Sequence, residues 1–302
     1  MKKIWDQAPY NSFTDLAFFN GKWFCAFREG NTHWGKGDCG KVRIIYSTDG
    51  ETWESAALLS EEGADLRDAK LSITPDNRLM LLYFRRFNPT AYPEKHEQSF
   101  TRFSKDGFTW DEPNLAGTTE RWLWRVAWHK GVAYGFDYGG PDGAPPFQAP
   151  RTGRFYSSDD GIHFKTIFEC EHAGESAIFF LEDDTALLLI RSEGDNAVLG
   201  TARPPYANWE WKDLKRRLGG PQMIRLPDGR FVVGGRLYEE RARTSLLWLD
   251  PDKGTLEEFL TLPSGGDTSY PGMVYKDGML WVSYYSSHEG KTSIYLAKVK
   301  FP

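Results

Sequence analysis

The chain has 302 residues and a formal net charge of −5, from 37 Lys and Arg against 42 Asp and Glu; this argues against a nucleic-acid partner, which needs a basic footprint to neutralise phosphates. Apolar residues at 40% and charged residues at 26% are those of an ordinary globular chain, and no apolar run approaches a membrane span, so no membrane partner is expected. Aromatic residues are in excess, with 12 Trp, 14 Tyr and 20 Phe, which suits pleated-sheet packing and also stacking on the apolar faces of sugars.

The chain starts Met1-Lys2-Lys3-Ile4-Trp5-Asp6, charged but with no apolar stretch behind it, so no secretory leader is expected. That places the protein either in the cytoplasm or as the trimmed form of a secreted one. Almost no helical periodicity follows. Instead, an apolar strand, a tight turn and a second apolar strand recur: residues 16–27 around Asn20-Gly21, 71–84 around Pro75-Asp76-Asn77, and 126–136 around Lys130-Gly131. The same unit returns at 177–190 around Glu182-Asp183-Asp184, 223–234 around Pro227-Asp228-Gly229, and 273–284 around Lys276-Asp277-Gly278. Asn-Gly and Asp-Gly accept positive φ cheaply, which is why they mark hairpin tips. A spacing of roughly 45–56 residues matches one four-stranded propeller blade. The pattern predicts an all-β fold, a six-bladed β-propeller filling residues 1–302 as one domain. Residues 1–11 are left over to pair with the last blade, which removes an open sheet edge.

A second repeat is sharper. Ser47-Thr48-Asp49-Gly50-Glu51-Thr52-Trp53 returns as Ser104-Lys105-Asp106-Gly107-Phe108-Thr109-Trp110, and more weakly as Ser158-Asp159-Asp160-Gly161-Ile162-His163-Phe164. The Asp is expected to cap turn amides, the Gly to take the strained backbone angle, and the aromatic to tuck beneath. Blades four to six carry degraded versions or none. Elsewhere, Cys25, Cys39 and Cys170 are odd in number and lack Cys-x-x-Cys spacing, so free thiols are expected rather than a disulfide framework or zinc site. His33, His129 and His288 show no zinc spacing either. No metal and no cofactor is expected, and Lys212, Lys215, Arg216 and Arg217 read as a solvated face.

The repeated loop resembles the Asp-box of sialidases and related propellers, a structural motif remote from the chemistry. That resemblance implies an exo-acting, retaining glycoside hydrolase with a terminal acidic sugar as substrate. In the family, a Tyr nucleophile is polarised by a Glu, an Asp serves as acid/base, and three Arg clamp the substrate carboxylate. By order along the blades, Tyr270 resembles the nucleophile and Glu175 its activating carboxylate. Arg191 and Arg236 resemble the second and third arginines, Asp68 a substrate-touching Asp, and Glu289 the Glu that steadies an arginine. The acid/base falls in the loop at 29–38, with Asp38 the candidate and His33 the reserve. The family's first arginine has no counterpart, because the matching stretch is Ser12-Phe13-Thr14-Asp15. Either Arg28 or Arg67 supplies that charge, or Asp15 favours hydroxyls over a carboxylate. Arg125 also points toward the axis. Trp122 and Trp124 form a sugar platform or pack as core. Two other functions stay open: a polysaccharide lyase or glycosidase on uronate- or rhamnose-containing glycans, and a non-catalytic glycan-binding propeller.

Overall fold

The computed structural model describes residues 1–33, 38–87, 94, 96–141 and 150–301. The regular elements among them are strands, grouped in six four-stranded antiparallel sheets. After β1 (Lys2–Trp5), blade one contains β2 (Tyr10–Phe19), β3 (Lys22–Gly30), β4 (Lys41–Ser47) and β5 (Glu54–Leu59). Blade two is β6 (Ala64–Ile73), β7 (Leu79–Phe87), β8 (Gln98–Ser104) and β9 (Asn114–Ala116). Blade three is β10 (Arg121–His129), β11 (Val132–Gly139), β12 (Thr152–Ser158) and β13 (Lys165–Cys170). Blade four is β14 (Ser176–Phe180), β15 (Ala186–Ile190), β16 (Val198–Ala202) and β17 (Glu210–Asp213). Blade five is β18 (Gly219–Arg225), β19 (Phe231–Leu237), β20 (Arg243–Asp250) and β21 (Thr255–Thr261). Blade six is β22 (Thr268–Lys276), β23 (Met279–Ser286), β24 (Ser293–Lys300) and, on its outer edge, β1.

The first strands of successive blades touch one another in a closed cycle, β2 to β6, β10, β14, β18, β22 and back to β2, so they ring a common axis. This is a six-bladed β-propeller. The burial pattern explains why these segments pair as they do. Strands covered on both faces read as continuous apolar runs, as in Ala186–Ile190, where every residue is buried. Outer strands such as Thr255–Thr261 mix exposed and half-buried positions. Tips of the inner hairpins carry positive φ where the sequence places Asn-Gly, Lys-Gly or Asp-Gly, for example Asn20 at 46° and Gly21 at 75°.

The core is divided among six apolar clusters: five lie between neighbouring blades, and the sixth runs from the seam of blades one and six across the axis to Phe84, Trp122 and Trp124. Between blades one and six, Trp23 stacks on Trp281 with ring centroids 4.2 Å apart. The same seam is closed by β1, which pairs with β24 in the register Lys2↔Leu296, Lys3↔Tyr295 and Trp5↔Ile294. Asn11 adds a backbone and a side-chain hydrogen bond to the Thr292 carbonyl, at 3.2 and 2.9 Å.

The Ser-x-Asp-Gly loops share one geometry. Asp49 Oδ1 accepts from the amides of Glu51 and Thr52, and Ser47 Oγ accepts from Gly50 N. Asp106 and Asp160 repeat this arrangement in blades two and three. Blade five has a variant that its sequence does not advertise: Asp250 Oδ1 accepts from the amides of Asp252 and Lys253.

Candidate active site

At the axis, five of the six inner strands bulge just after they enter their blades. The pairing register shifts between Ser12 and Asp15, Arg67 and Lys70, Leu123 and Arg125, Gly219 and Gln222, and Ser269 and Gly272. In four of these bulges the backbone turns left-handed, at Phe13 (φ 61°), Asp68 (53°), Gly220 (56°), and Ser269 and Tyr270 (104° and 49°). Each non-glycine residue held this way costs about 1–3 kcal/mol, and bulges re-aim side chains. Here they bring Phe13, Asp68 and Tyr270 to the wall of one cavity of about 310 Å³.

Tyr270 OH donates to Glu175 Oε1 at 2.6 Å, although the two residues are 95 positions apart. Glu175 precedes β14, and its Oε2 accepts from Gly220 N at 2.7 Å. Arg191 follows β15 and donates through Nη1 to Glu175 Oε1 (2.8 Å) and to the Tyr270 phenol oxygen (3.2 Å). Its Nη2 lies 2.9 Å from Glu193 at the cavity lip. Gly220 packs so tightly that an added Cβ would sit 2.8 Å from the Tyr270 ring.

The electrostatics of this pair are well defined. Burial, reinforced by the Glu175 charge, pushes the Tyr270 phenol well above its ordinary range. Burial alone would raise Glu175, but the Arg191 charge and the hydrogen bonds from Arg191, Tyr270 and Gly220 outweigh it, so its carboxyl is lowered. At neutral pH the site therefore holds a neutral phenol against an ionised carboxylate. Opposite behaviour appears at Asp68, whose carboxyl is raised by burial despite Arg67 and Lys70 nearby. Lys70, buried over the Trp124 ring at 4.9 Å, is lowered by burial to about 8. Its Nζ, Asp68 Oδ1 and Trp124 Nε1 are buried polar atoms without a hydrogen bond among the described residues.

Of the residues expected at the site, the structure brings Tyr270, Glu175, Arg191, Arg67 and Asp68 to the cavity wall, with His33, Trp122 and Trp124. Arg67 lies 3.5 Å from Asp65 and 3.4 Å from Asp68, with its guanidinium 5.0 Å from the Phe13 ring centre. Other expected residues are elsewhere. Asp38 turns back into its own loop, accepting from the amides of Asn31 and Thr32 and pairing with Arg28, so it caps the loop and does not line the cavity. Residues 34–37 of that loop lie outside the described residues. Arg28 is sealed, its three nitrogens bonded to Asp65, Asp38 and the Thr32 carbonyl. Asp15 and Arg125 form a buried pair at 3.0 Å that also takes the Leu71 amide, lashing blade one to blades two and three, and neither lines the cavity. Arg236 stands behind the Tyr270 ring at 5.4 Å, held by Asp267, Tyr285 and the Thr268 carbonyl. Glu289 is on the surface beside Lys3 and Tyr295, in the turn that joins β23 to β24.

Several lining residues had no clear sequence signal. Phe13 occupies the blade-one place at which the family resemblance called for an arginine; its ring meets the edge of Tyr270 at 5.2 Å. Tyr138 and Arg151 also line the cavity. Asp267 does for Arg236 what Glu289 was expected to do, and the signal was its place immediately before β22. No group of three or more His, Cys, Asp or Glu able to hold a metal ion occurs among the described residues.

No protein-family model matches this chain, and no curated protein matches it in sequence. Solved structures do. A protein of unknown function from Dyadobacter fermentans is 18% identical, with a TM-score of 0.83, covering 99% of this chain and 97% of its own. The α-L-arabinofuranosidase Arb93a of Fusarium graminearum, in complex with an iminosugar inhibitor, is 12% identical with a TM-score of 0.74, covering 99% and 96%. Trypanosoma rangeli sialidase in complex with the inhibitor DANA is 13% identical with a TM-score of 0.74, covering 96% of this chain and 55% of that one. At such identities the likeness establishes the six-bladed, sialidase-like propeller fold.

Proposed function

We propose that this protein is an exo-acting, retaining glycoside hydrolase in which the Tyr270 phenol attacks the anomeric carbon of a terminal sugar while Glu175 takes the phenol proton. The observation that carries the reading is the 2.6 Å hydrogen bond between Tyr270 and Glu175 at the wall of an axial cavity. A phenol is a weak nucleophile at neutral pH, so an adjacent base must accept its proton as attack proceeds. Glu175 stays ionised through Arg191 and is in place to do so. Tyrosine suits an acidic sugar whose carboxylate would repel an anionic nucleophile. Such a carboxylate is taken by Arg191, whose other partner Glu193 is a surface side chain and costs little to displace, with Arg67 and Arg151 also in the lining. The neighbours that hydrolyse glycosides on the same fold support the reading.

Phe13 favours a second reading of the sugar. With an aromatic ring at that position and acidic side chains (Asp68, Glu175, Glu193) facing Arg67, Arg151 and Arg191 in the lining, a neutral sugar such as an arabinofuranose is recognised through its hydroxyls. Aryl α-sialosides, β-glucuronides and α-L-arabinofuranosides, assayed side by side, separate the two. Tyr270→Phe and Glu175→Gln are each expected to lower kcat on the accepted sugar by at least about a hundredfold, the scale of lost proton-transfer assistance. Near-normal turnover in both variants removes the Tyr–Glu mechanism. Turnover of the arabinofuranoside alone transfers the assignment to the neutral sugar, and an unsaturated product absorbing in the ultraviolet assigns a lyase instead.

A further inference from the structure

We infer that the proton donor to the leaving group is His33, oriented by Asp267 from the opposite end of the chain. This rests on the glycosidase reading above and adds the group that reading lacks once Asp38 is seen to cap its own loop. His33 Nδ1 lies 2.5 Å from Asp267 Oδ2. Tyr10 OH donates to the same carboxylate oxygen and lies 2.9 Å from Nδ1. Asp267 Oδ1 accepts from Arg236 Nη2 (2.6 Å) and from Tyr285 OH (2.9 Å), so the carboxylate is fixed from four directions. A carboxylate on Nδ1 makes that nitrogen the protonated one and leaves Nε2 as the nitrogen that gains and loses a proton. The imidazole lines the cavity, packed edge-on against Phe13 at 5.2 Å. Nε2 makes no hydrogen bond among the described residues.

Exposure decides between His33 and the other titratable groups of the cavity. An exo-acting enzyme buries the terminal sugar and lets the aglycone leave toward solvent, so the acid must stand at the mouth. The Asp68 side chain is 4% exposed and that of His33 46%. Asp68 is therefore at the depth of the sugar and His33 at the depth of the aglycone. Glu193 is also exposed, but both its oxygens face Arg191. The charged and titratable groups that face His33 are Asp267 and Tyr10, Arg67, which reaches its carbonyl at 3.4 Å, and Asp68, with Arg236 behind Asp267.

Bonds and protons balance over two half-reactions. In the first half, the Tyr270 oxygen bonds to the anomeric carbon, its proton passes to Glu175, the glycosidic C–O bond breaks, and His33 Nε2–H protonates the departing oxygen. In the second, water attacks the same carbon, its proton returns to Nε2, the bond to Tyr270 breaks, and Glu175 gives the proton back to the phenolate.

Wild type, His33→Ala, Asp68→Asn and Glu193→Gln are compared on the methyl and 2,4-dinitrophenyl glycosides of N-acetylneuraminic acid and of arabinofuranose. A dinitrophenolate leaves without a proton, so His33→Ala is expected to lose at least about a hundredfold in kcat/KM on the methyl glycoside and less than about tenfold on the dinitrophenyl one. Azide, which needs no base, is expected to speed the variant's turnover and give a glycosyl azide. Equal losses on both aglycones, no loss on either, or the selective loss appearing in Asp68→Asn or Glu193→Gln overturns the proposal. A Tyr270→Phe variant that still cleaves the dinitrophenyl glycoside at full rate instead removes the Tyr–Glu reading. Asp267→Asn tests the positioning role without turnover. The His33 Nδ1 proton, held downfield in the NMR spectrum by its hydrogen bond to Asp267, is expected to move upfield when the carboxylate is lost, and an unchanged resonance refutes the coupling.

Discussion

Arg28 and Arg191 both stand where the second strand of a blade returns to the axis, and each meets two carboxylates. The Arg28 side chain is 0% exposed, each of its nitrogens bonded, to Asp65, Asp38 and a backbone carbonyl. Two glycines clasp it: a Cβ on Gly30 or Gly40 would come within 2.4 or 2.3 Å of its nitrogens. Arg191 meets the cavity, and one of its partners is the Tyr270 phenol. The same pairing of charges is thus sealed scaffold on one side of the axis and cavity wall on the other. What separates them is saturation. Around Arg28 every nitrogen has a partner, whereas on the cavity side Lys70 Nζ, Asp68 Oδ1 and Trp124 Nε1 are buried without a hydrogen bond among the described residues.

The largest test exchanges one arginine on each side. Arg28→Met leaves Asp38 and Asp65 without their buried cation and is expected to cost about 3–5 kcal/mol of unfolding free energy, read from urea denaturation. Arg191→Met is expected to lose less stability, because Gly220 N and Tyr270 OH still serve Glu175, while turnover falls at least about a hundredfold. If both variants lose stability alike and Arg191→Met keeps its rate, the distinction is void.

Lys70 sharpens the same contrast through pH. Its amine titrates at about 8 in the fold against an ordinary 10.5, because burial penalises the charge more than Asp68, Asp15 and Glu175 favour it. The unfolded chain therefore holds this proton more firmly. Below pH 8 the penalty is fully present, and stability is regained as pH rises from about 8 to 10.5. Lys70→Met is expected to be the more stable protein at pH 7, by up to about 3 kcal/mol, with the advantage vanishing near the top of that window. An advantage that stays constant with pH would show that the buried ammonium is not its source.

Gly220 is next in size. Alanine there is placed in a left-handed conformation with its Cβ 2.8 Å from the Tyr270 ring, for a loss of about 1–3 kcal/mol and a falling kcat as the phenol is pushed off Glu175. Gly229, at φ 91° but with its nearest neighbour a flexible Arg225 nitrogen 3.5 Å away, shares the strain without the clash. Gly229→Ala is expected to lose stability alone, as kinetics beside thermal melts will show.

How much of this was readable in the sequence follows from the range of each interaction. Hairpin tips and Ser-x-Asp-Gly loops are closed within a few residues, so spacing revealed the blades. Tyr270 and Glu175 were found by order along a repeating unit, since a propeller returns each blade entrance to one axis. Saturation is set by distant partners: Asp65 reaches Arg28 from the next blade, and nothing in the 29–38 loop tells that Asp38 is turned inward. Nor does the residue type at Phe13 announce the bulge that aims it at the cavity, since a bulky aromatic rarely takes positive φ; Asp68 is of a type that takes it more readily, but nothing local marks it as doing so in a strand.

The smallest effect comes from Glu289, which the family resemblance assigned to steady an arginine. It sits half-exposed beside Lys3, and its other partner is Tyr295 near the end of blade six. A solvent-exposed ion pair contributes little, because water screens the charges and two long side chains lose their freedom to form it. Glu289→Gln should leave Tm and kcat at wild-type values within error. Asp267→Asn removes the carboxylate that holds Arg236 behind the Tyr270 ring and should lower both. The pair of variants asks one question, namely which acidic residue supports the wall on which Tyr270 leans. A drop in kcat from Glu289→Gln without one from Asp267→Asn would place that support at the surface, against the 2.6 Å contact of Asp267 with Arg236.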